Sequence, residues 1–219
     1  MLSGFSMPRK RQIFTSEYPY HLSARCHNKE WFDLPLWQIW AVMSKYLSYA
    51  SETHKMEIHS FVLMNNHFHL IAQFPENNMA EAMNYFMRET SRVISRKAGR
   101  INQTYGGRYF RSAITKNNYL DHVYKYVYRN PVEAGIVESV QDYQFSTLYM
   151  KLKSRSSGFP IIEDPRISST QRHSTLKWLN TAPKASDKEE IRKALKKPEF
   201  NLTSRASGMF VHHLEVDRF

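Results

Sequence analysis

The sequence predicts an α+β fold, a ferredoxin-like antiparallel sheet with packed helices plus a C-terminal appendage. Three observations predict it. Over residues 1–150, strand-like and helix-like stretches follow in the order β-α-β-β-α-β-α. The two central strand-like runs are separated only by Asn65-Asn66, a tight-turn dipeptide that makes them antiparallel neighbours. From about Lys151 onward the periodicity weakens, and Ser, Lys, Arg and Pro dominate.

Each element has its own local reason. Tyr20–Arg25 reads as a short strand. Leu36, Ile39, Trp40, Met43, Leu47 and Ala50 repeat at helical spacing, so a helix is expected over Leu36–His54, with Pro35 in a first-turn position. Met56–Met64 and His67–Phe74 are β-rich runs. Ala80–Lys97 is helical again, with Met83, Phe86, Met87, Val93 and Ile94 forming one apolar stripe. Gly106-Gly107 breaks the chain before a strand expected over Arg108–Thr115. A last helix, Tyr119–Arg129, is expected to be disturbed by Pro131 and closed near Gly135. One further amphipathic helix is expected near Asp187–Lys197. This divides the chain into a domain at 8–150 and a basic extension at 151–219.

Composition narrows the function classes. The 219 residues include 13 Phe, 13 Tyr and 4 Trp, ample for a packed core, which excludes wholesale disorder. No apolar run reaches the roughly 18–20 residues of a bilayer span. The opening MLSGFSMPRKRQ has no apolar stretch behind its basic residues, so no secretory signal is expected, and Met7 is a second candidate start. A single cysteine, Cys26, leaves neither an internal disulfide nor a Cys-rich zinc site. A cytoplasmic protein with no membrane partner is expected. The net charge of +11 points to a polyanionic partner. That excess is shared between residues 1–150, with 17 basic and 12 acidic residues, and 151–219, with 14 and 8.

The chemistry-bearing residues concentrate in two places. On a strand, His67 and His69 present both imidazoles to one face while Phe68 and Leu70 face the core. Such a pair is half of a divalent-metal site; two histidines on a wet sheet face would show the same spacing. On the last helix, His122, Tyr126 and Asn130 share one face. A tyrosine one turn from a ligating amide can attack a metal-polarised phosphorus and form a phosphotyrosine. Tyr119, Tyr124 and Tyr128 crowd the same helix, and tyrosines packed with wet hydroxyls fit the spacing equally.

Met64-Asn65-Asn66-His67-Phe68-His69, followed by Tyr126-Val127-Tyr128-Arg129-Asn130-Pro131-Val132 with Ala134-Gly135, resembles the single-tyrosine HUH transposases. Within that superfamily the chain is most similar to the REP-associated tyrosine transposases. The opening PRKRQ, the Tyr20-His21-Leu22 strand, Arg25 and the Tyr143–Tyr149 stretch fit the same family, so the resemblance covers roughly residues 8–150. It implies an HUH endonuclease fold that cuts and rejoins single-stranded or hairpin DNA. It also implies His67, His69 and Asn130 as ligands of Mg²⁺ or Mn²⁺, and Tyr126 as the nucleophile that forms a 5′-phosphotyrosine. Ligand preference alone favours Mn²⁺ at a His₂-amide site. The family's relatives include monomers and homodimers, and both remain open for this chain. The chain departs from the pattern at Tyr128, where histidine is common, and at Glu133, where basic residues sit; neither belongs to the implied metal set.

Candidate DNA contacts are Arg25, the stripe Arg88, Arg92 and Arg96, and Arg108 and Arg111 among Tyr105, Tyr109 and Phe110. Lys188, Arg192, Lys193, Lys196 and Lys197 form a further basic cluster that could grip a hairpin stem. Two rival readings keep the fold. A catalytically silent DNA-binding protein would form no covalent adduct, and a metal-dependent hydrolase would tolerate Tyr126→Phe.

Overall fold

The computed structural model describes residues 15–163, 172–202 and 214; the basic stretch at 8–12 lies outside them. Four strands, β1 (Tyr20–Arg25), β2 (Glu57–Leu63), β3 (His67–Gln73) and β4 (Phe110–Ala113), form one sheet in the order β2-β3-β1-β4. Every pairing is antiparallel. β3 is thus inserted between β1 and β2, which is the split β-α-β arrangement that the element order predicts. Among the described residues no helix is long and apolar enough to cross a membrane.

The sheet has two different faces. α1 (Leu36–His54) and α2 (Met79–Lys97) cover the first, burying Leu22, Phe61, Phe68, Leu70, Met43 and Phe86. α3 (Asn117–Glu133) covers the second, over Val62 and Ile71. Alternation explains the division: Tyr20, Leu22 and Ala24 face the first core, and His21 and Ser23 face α3's side.

Two outcomes differ from the sequence reading. α3 continues through Pro131 to Glu133 instead of weakening at Arg129. Pro131 cannot donate to the Val127 carbonyl one turn back; the Asn130 side chain lies 3.5 Å from that oxygen and donates to Tyr126 O at 2.8 Å. The helix then ends as expected at Gly135, which adopts φ +67°. Ile136 N donates to Pro131 O and Gly135 N to Val132 O, the paired bonds of a Schellman cap. β4 is shorter than its β-rich sequence predicts, and Arg108 and Tyr109 precede it as loop.

The chain beyond β4 closes both sheet edges. α4 (Thr147–Leu152) and the turn before it dock on β2, with Leu63 N donating to Phe145 O and Phe61 N to the Thr147 hydroxyl. On the opposite edge, Ala113 N donates to Pro198 O and Phe200 N to Ala113 O. These bonds pair part of each sheet edge with the chain's own later residues. Among the described residues the extension holds two helices where the sequence predicts one, α5 (Arg172–Asn180) and α6 (Ala185–Ala194). Leu179, Ile191, Leu195 and Phe200 are buried in the same core as Val123 and Val127 of α3.

Candidate active site

His67 opens β3, and the β1–β3 register sets Arg25 opposite it and Ser23 opposite His69. The rings of His67 and His69 lie 5.0 Å apart, edge to face, on α3's side of the sheet. Each Nδ1 already has a partner. His67 Nδ1 is 2.7 Å from Asn66 Oδ1, and His69 Nδ1 is 2.8 Å from Nε2 of His21. The rings of His21 and His69 stack at 5.1 Å, and both residues are buried.

Burial holds all three imidazoles neutral at physiological pH. It pushes His21 down to about 3, with the charge of His67 adding to the effect. It pushes His67 down to about 4, helped by Arg25. His69 is held well below the usual histidine range by burial, then by His67, His21 and Arg25. A neutral imidazole with one nitrogen anchored offers its other nitrogen as a lone pair, which a metal ligand requires. His69 Nε2 is buried without a close hydrogen-bond partner among the described residues. That atom, beside His67 and facing the Asn130 side chain, fits a divalent cation.

α3 brings the remaining residues to the pair. The Tyr126 ring meets the His69 ring edge-on at 5.7 Å and the His21 ring at 6.3 Å. One turn on, Asn130 spends its amide nitrogen on the Tyr126 carbonyl and interacts with His69 through its side chain. Its oxygen is therefore the group left for the site. Among the described residues no cluster of three His, Cys, Asp or Glu fits a metal, so the candidate donor set is two imidazoles and an amide. Burial raises the Tyr126 phenol above its ordinary range, and the charges of Arg192 and Arg25 oppose that rise.

His67, Tyr126 and Asn130 line a cleft of about 650 Å³ between α3 and α6, with His69 buried behind them. Arg25 and His67 lie at its sheet end, Lys125 and Tyr126 on α3, and Lys188 and Arg192 on α6. Burial, with Arg129 adding, lowers Lys125 to about 8, and its ammonium sits 4.7 Å from the Trp178 ring of α5.

The structure thus brings His67, His69, Tyr126, Asn130 and Arg25 together. It takes other candidates elsewhere. Arg88, Arg92 and Arg96 lie on α2, which packs on the opposite face of the sheet, and Arg88 and Arg92 both pair with Glu89. Tyr105 is buried and shares a hydrogen bond with Thr90 at 2.9 Å, so its ring is no stacking platform. Arg108 and Phe110 are exposed around β4, and Arg111 interacts with Tyr109 there. His122 lies on the Tyr126 face but turns to the Leu214 carbonyl at 2.6 Å.

Sequence reasoning gave His21 no role, although its alternation with Tyr20 and Leu22 puts it on α3's side of the sheet with His69. It read Lys188 and Arg192 as part of a basic helix that either grips a hairpin stem or is a plain surface helix; both line the cleft beside Tyr126.

The family described as Transposase IS200 like matches residues 14–130. A Haemophilus influenzae protein named for the REP-associated tyrosine transposases is 26% identical over 115 residues. That alignment spans 47% of this chain and 65% of the relative, slightly under two thirds of its length. A solved structure of a REP-associated tyrosine transposase bound to a REP hairpin shares the fold, with a TM-score of 0.56 at 18% identity. The superposition covers 74% of this chain and 94% of that one. The family match begins before β1 and ends on Asn130, enclosing the histidine pair, Tyr126 and Asn130: the chain belongs to the IS200-like transposase family.

Proposed function

We propose that the protein is a metal-dependent DNA strand transferase that cuts and rejoins single-stranded or hairpin DNA through Tyr126. The observation that carries this reading is the packing of the Tyr126 ring edge-on to His69, above two anchored neutral imidazoles, with the Asn130 amide one turn away. His67 and His69 would hold Mg²⁺ or Mn²⁺ through their Nε2 atoms, and Asn130 through its oxygen. When bound, the cation supplies Lewis-acid polarisation of the phosphate and charge to offset an ionising phenol.

The chain's own residues do the rest. The Tyr126 oxygen bonds to phosphorus, the P–O3′ bond breaks, and the phenol proton passes in net to the departing O3′. A 5′-phosphotyrosine and a free 3′-hydroxyl result. Attack by a 3′-hydroxyl in the reverse sense rejoins the strand without ATP, because the phosphoester bond is conserved. The raised phenol pKa means that Tyr126 is not a phenolate at rest, so Arg25 and Arg192 help to stabilise its ionised form.

The test is a labelled single-stranded hairpin drawn from palindromes flanking the gene, incubated with Mn²⁺ or Mg²⁺ and run on a denaturing protein gel. The reading expects a metal-dependent adduct that disappears in both Tyr126→Phe and His67→Ala. Cleavage that survives Tyr126→Phe would make the protein a hydrolase using water. Tight binding with no adduct on any hairpin would make it a silent DNA-binding protein.

A further inference from the structure

The family match ends at Asn130, yet one wall of the cleft in front of Tyr126 is built by α6, some sixty residues later. That wall is firmly attached. Glu133 at the end of α3 accepts from Lys188 of α6 at 2.6 Å and from Arg129 at 2.7 Å. The buried Arg129 guanidinium also donates to the carbonyls of Leu179 and Asn180 at the end of α5, at 3.1 and 2.8 Å. Ile191 and Ala194 anchor α6 in the core beneath.

The cleft's charge is one-sided. Arg25, Lys125 and Arg192 approach it from three different elements. Of the two acidic residues on its lining, Glu133 is neutralised by Lys188 and Arg129, and Asp187 is buried and accepts from the Ser186 hydroxyl. Arg192 pairs with Glu189 at 2.8 Å, but both side chains are substantially exposed, and such a pair holds a guanidinium weakly against a competing phosphate. A volume of about 650 Å³ is that of a site for one small molecule, the scale of a nucleotide.

We propose that this cleft takes the single strand that flanks the scissile phosphate, and that Arg192 of α6 grips one of its phosphates opposite Arg25. The C-terminal extension is then part of the strand-binding site and not a separate stem-gripping arm. This rests on the strand-transferase reading for the identity of the ligand, but strand binding is measurable without catalysis.

Fluorescence anisotropy with labelled oligothymidylate and with a blunt duplex tests it, in metal-free buffer. Arg192→Gln should weaken oligothymidylate binding by about tenfold and reduce its salt slope by about one, while leaving duplex binding within about twofold. Arg192→Lys should recover part of the loss, and Lys193→Gln, on the same helix but outside the cleft, should change neither. Arg192 is exposed, so the fold should survive, which circular dichroism checks. Equal losses on both probes, or oligothymidylate binding within twofold of wild type, overturns the proposal. Arg192-dependent strand binding in a protein that never forms an adduct would sink the strand-transferase reading and leave this one standing.

Discussion

The two faces of one sheet have been put to opposite uses. Under α1 and α2, the side chains of Leu22, Phe61, Phe68 and Leu70 are fully buried and apolar, and aromatic rings interlock around Phe68 and Phe86. Under α3, the same strands present His21, His69, Ser60 and Ser112 beside Val62 and Ile71. His21 Nδ1, His69 Nε2 and the Ser60 and Ser112 hydroxyls are buried there without hydrogen-bond partners among the described residues. The α3 face is therefore the polar side of the sheet, and the residues of the proposed chemistry are gathered on it.

The sharpest way to break this contrast is Tyr126→Phe. It removes one hydroxyl from the α3 face, and strand cleavage should fall by about 10⁴-fold or more while the urea midpoint stays put. A loss of fold in this variant would show the phenol to be structural. Phe68→Ala makes the opposite cut. It should destabilise the protein by about 3–5 kcal/mol, measured by urea unfolding, and any strand cleavage by the remaining folded fraction should be normal.

Between pH 7 and 4.5, above the range where the ion-paired carboxylates titrate, acid should act through the α3 face. His21, His67 and His69 titrate lower in the folded protein than the unfolded value of 6.5, so the unfolded chain binds more protons as pH falls. Stability is thus complete above about pH 6.5 and is lost towards pH 4, by about 1.4 kcal/mol per pH unit for each histidine that titrates. Denaturant melts between pH 7 and 4.5 check this, and His21→Leu should flatten the slope. At pH 7 the same variant removes the partner that anchors His69 Nδ1. Calorimetric titration should then show Mn²⁺ affinity reduced by about 10- to 100-fold, with stability unchanged or improved. The smallest effect is expected across the sheet: Arg88→Gln and Arg92→Gln should alter DNA binding by less than about twofold.

Much of this contrast was legible in the sequence, because it follows from local rules. Period-two alternation put His67 and His69 on one face and Phe68 and Leu70 on the other, and helical spacing put Tyr126 and Asn130 together. The i,i+3 spacing of Glu89 and Arg92 also carried an ion pair, which the reading of α2 as a basic stripe left out. What stayed hidden depends on pairing at a distance. His21 meets His69 across 48 residues, and only the β1–β3 register brings them side by side. α6 reaches the cleft through Glu133, 55 residues from Lys188, a contact no periodicity announces. The continuation of α3 past Pro131 is not legible because the sequence does not show the Asn130 amide turning back on the Tyr126 and Val127 carbonyls.

The central claim is that Tyr126, and no neighbouring tyrosine, carries the DNA. Trypsin cutting after Lys125 and Arg129 releases the peptide Tyr126-Val127-Tyr128-Arg129 from the covalent adduct, and fragmentation by mass spectrometry assigns the nucleotide to one residue. The account predicts a 5′-phosphonucleotide on Tyr126. A nucleotide on Tyr128 or on the Tyr124 peptide would contradict it.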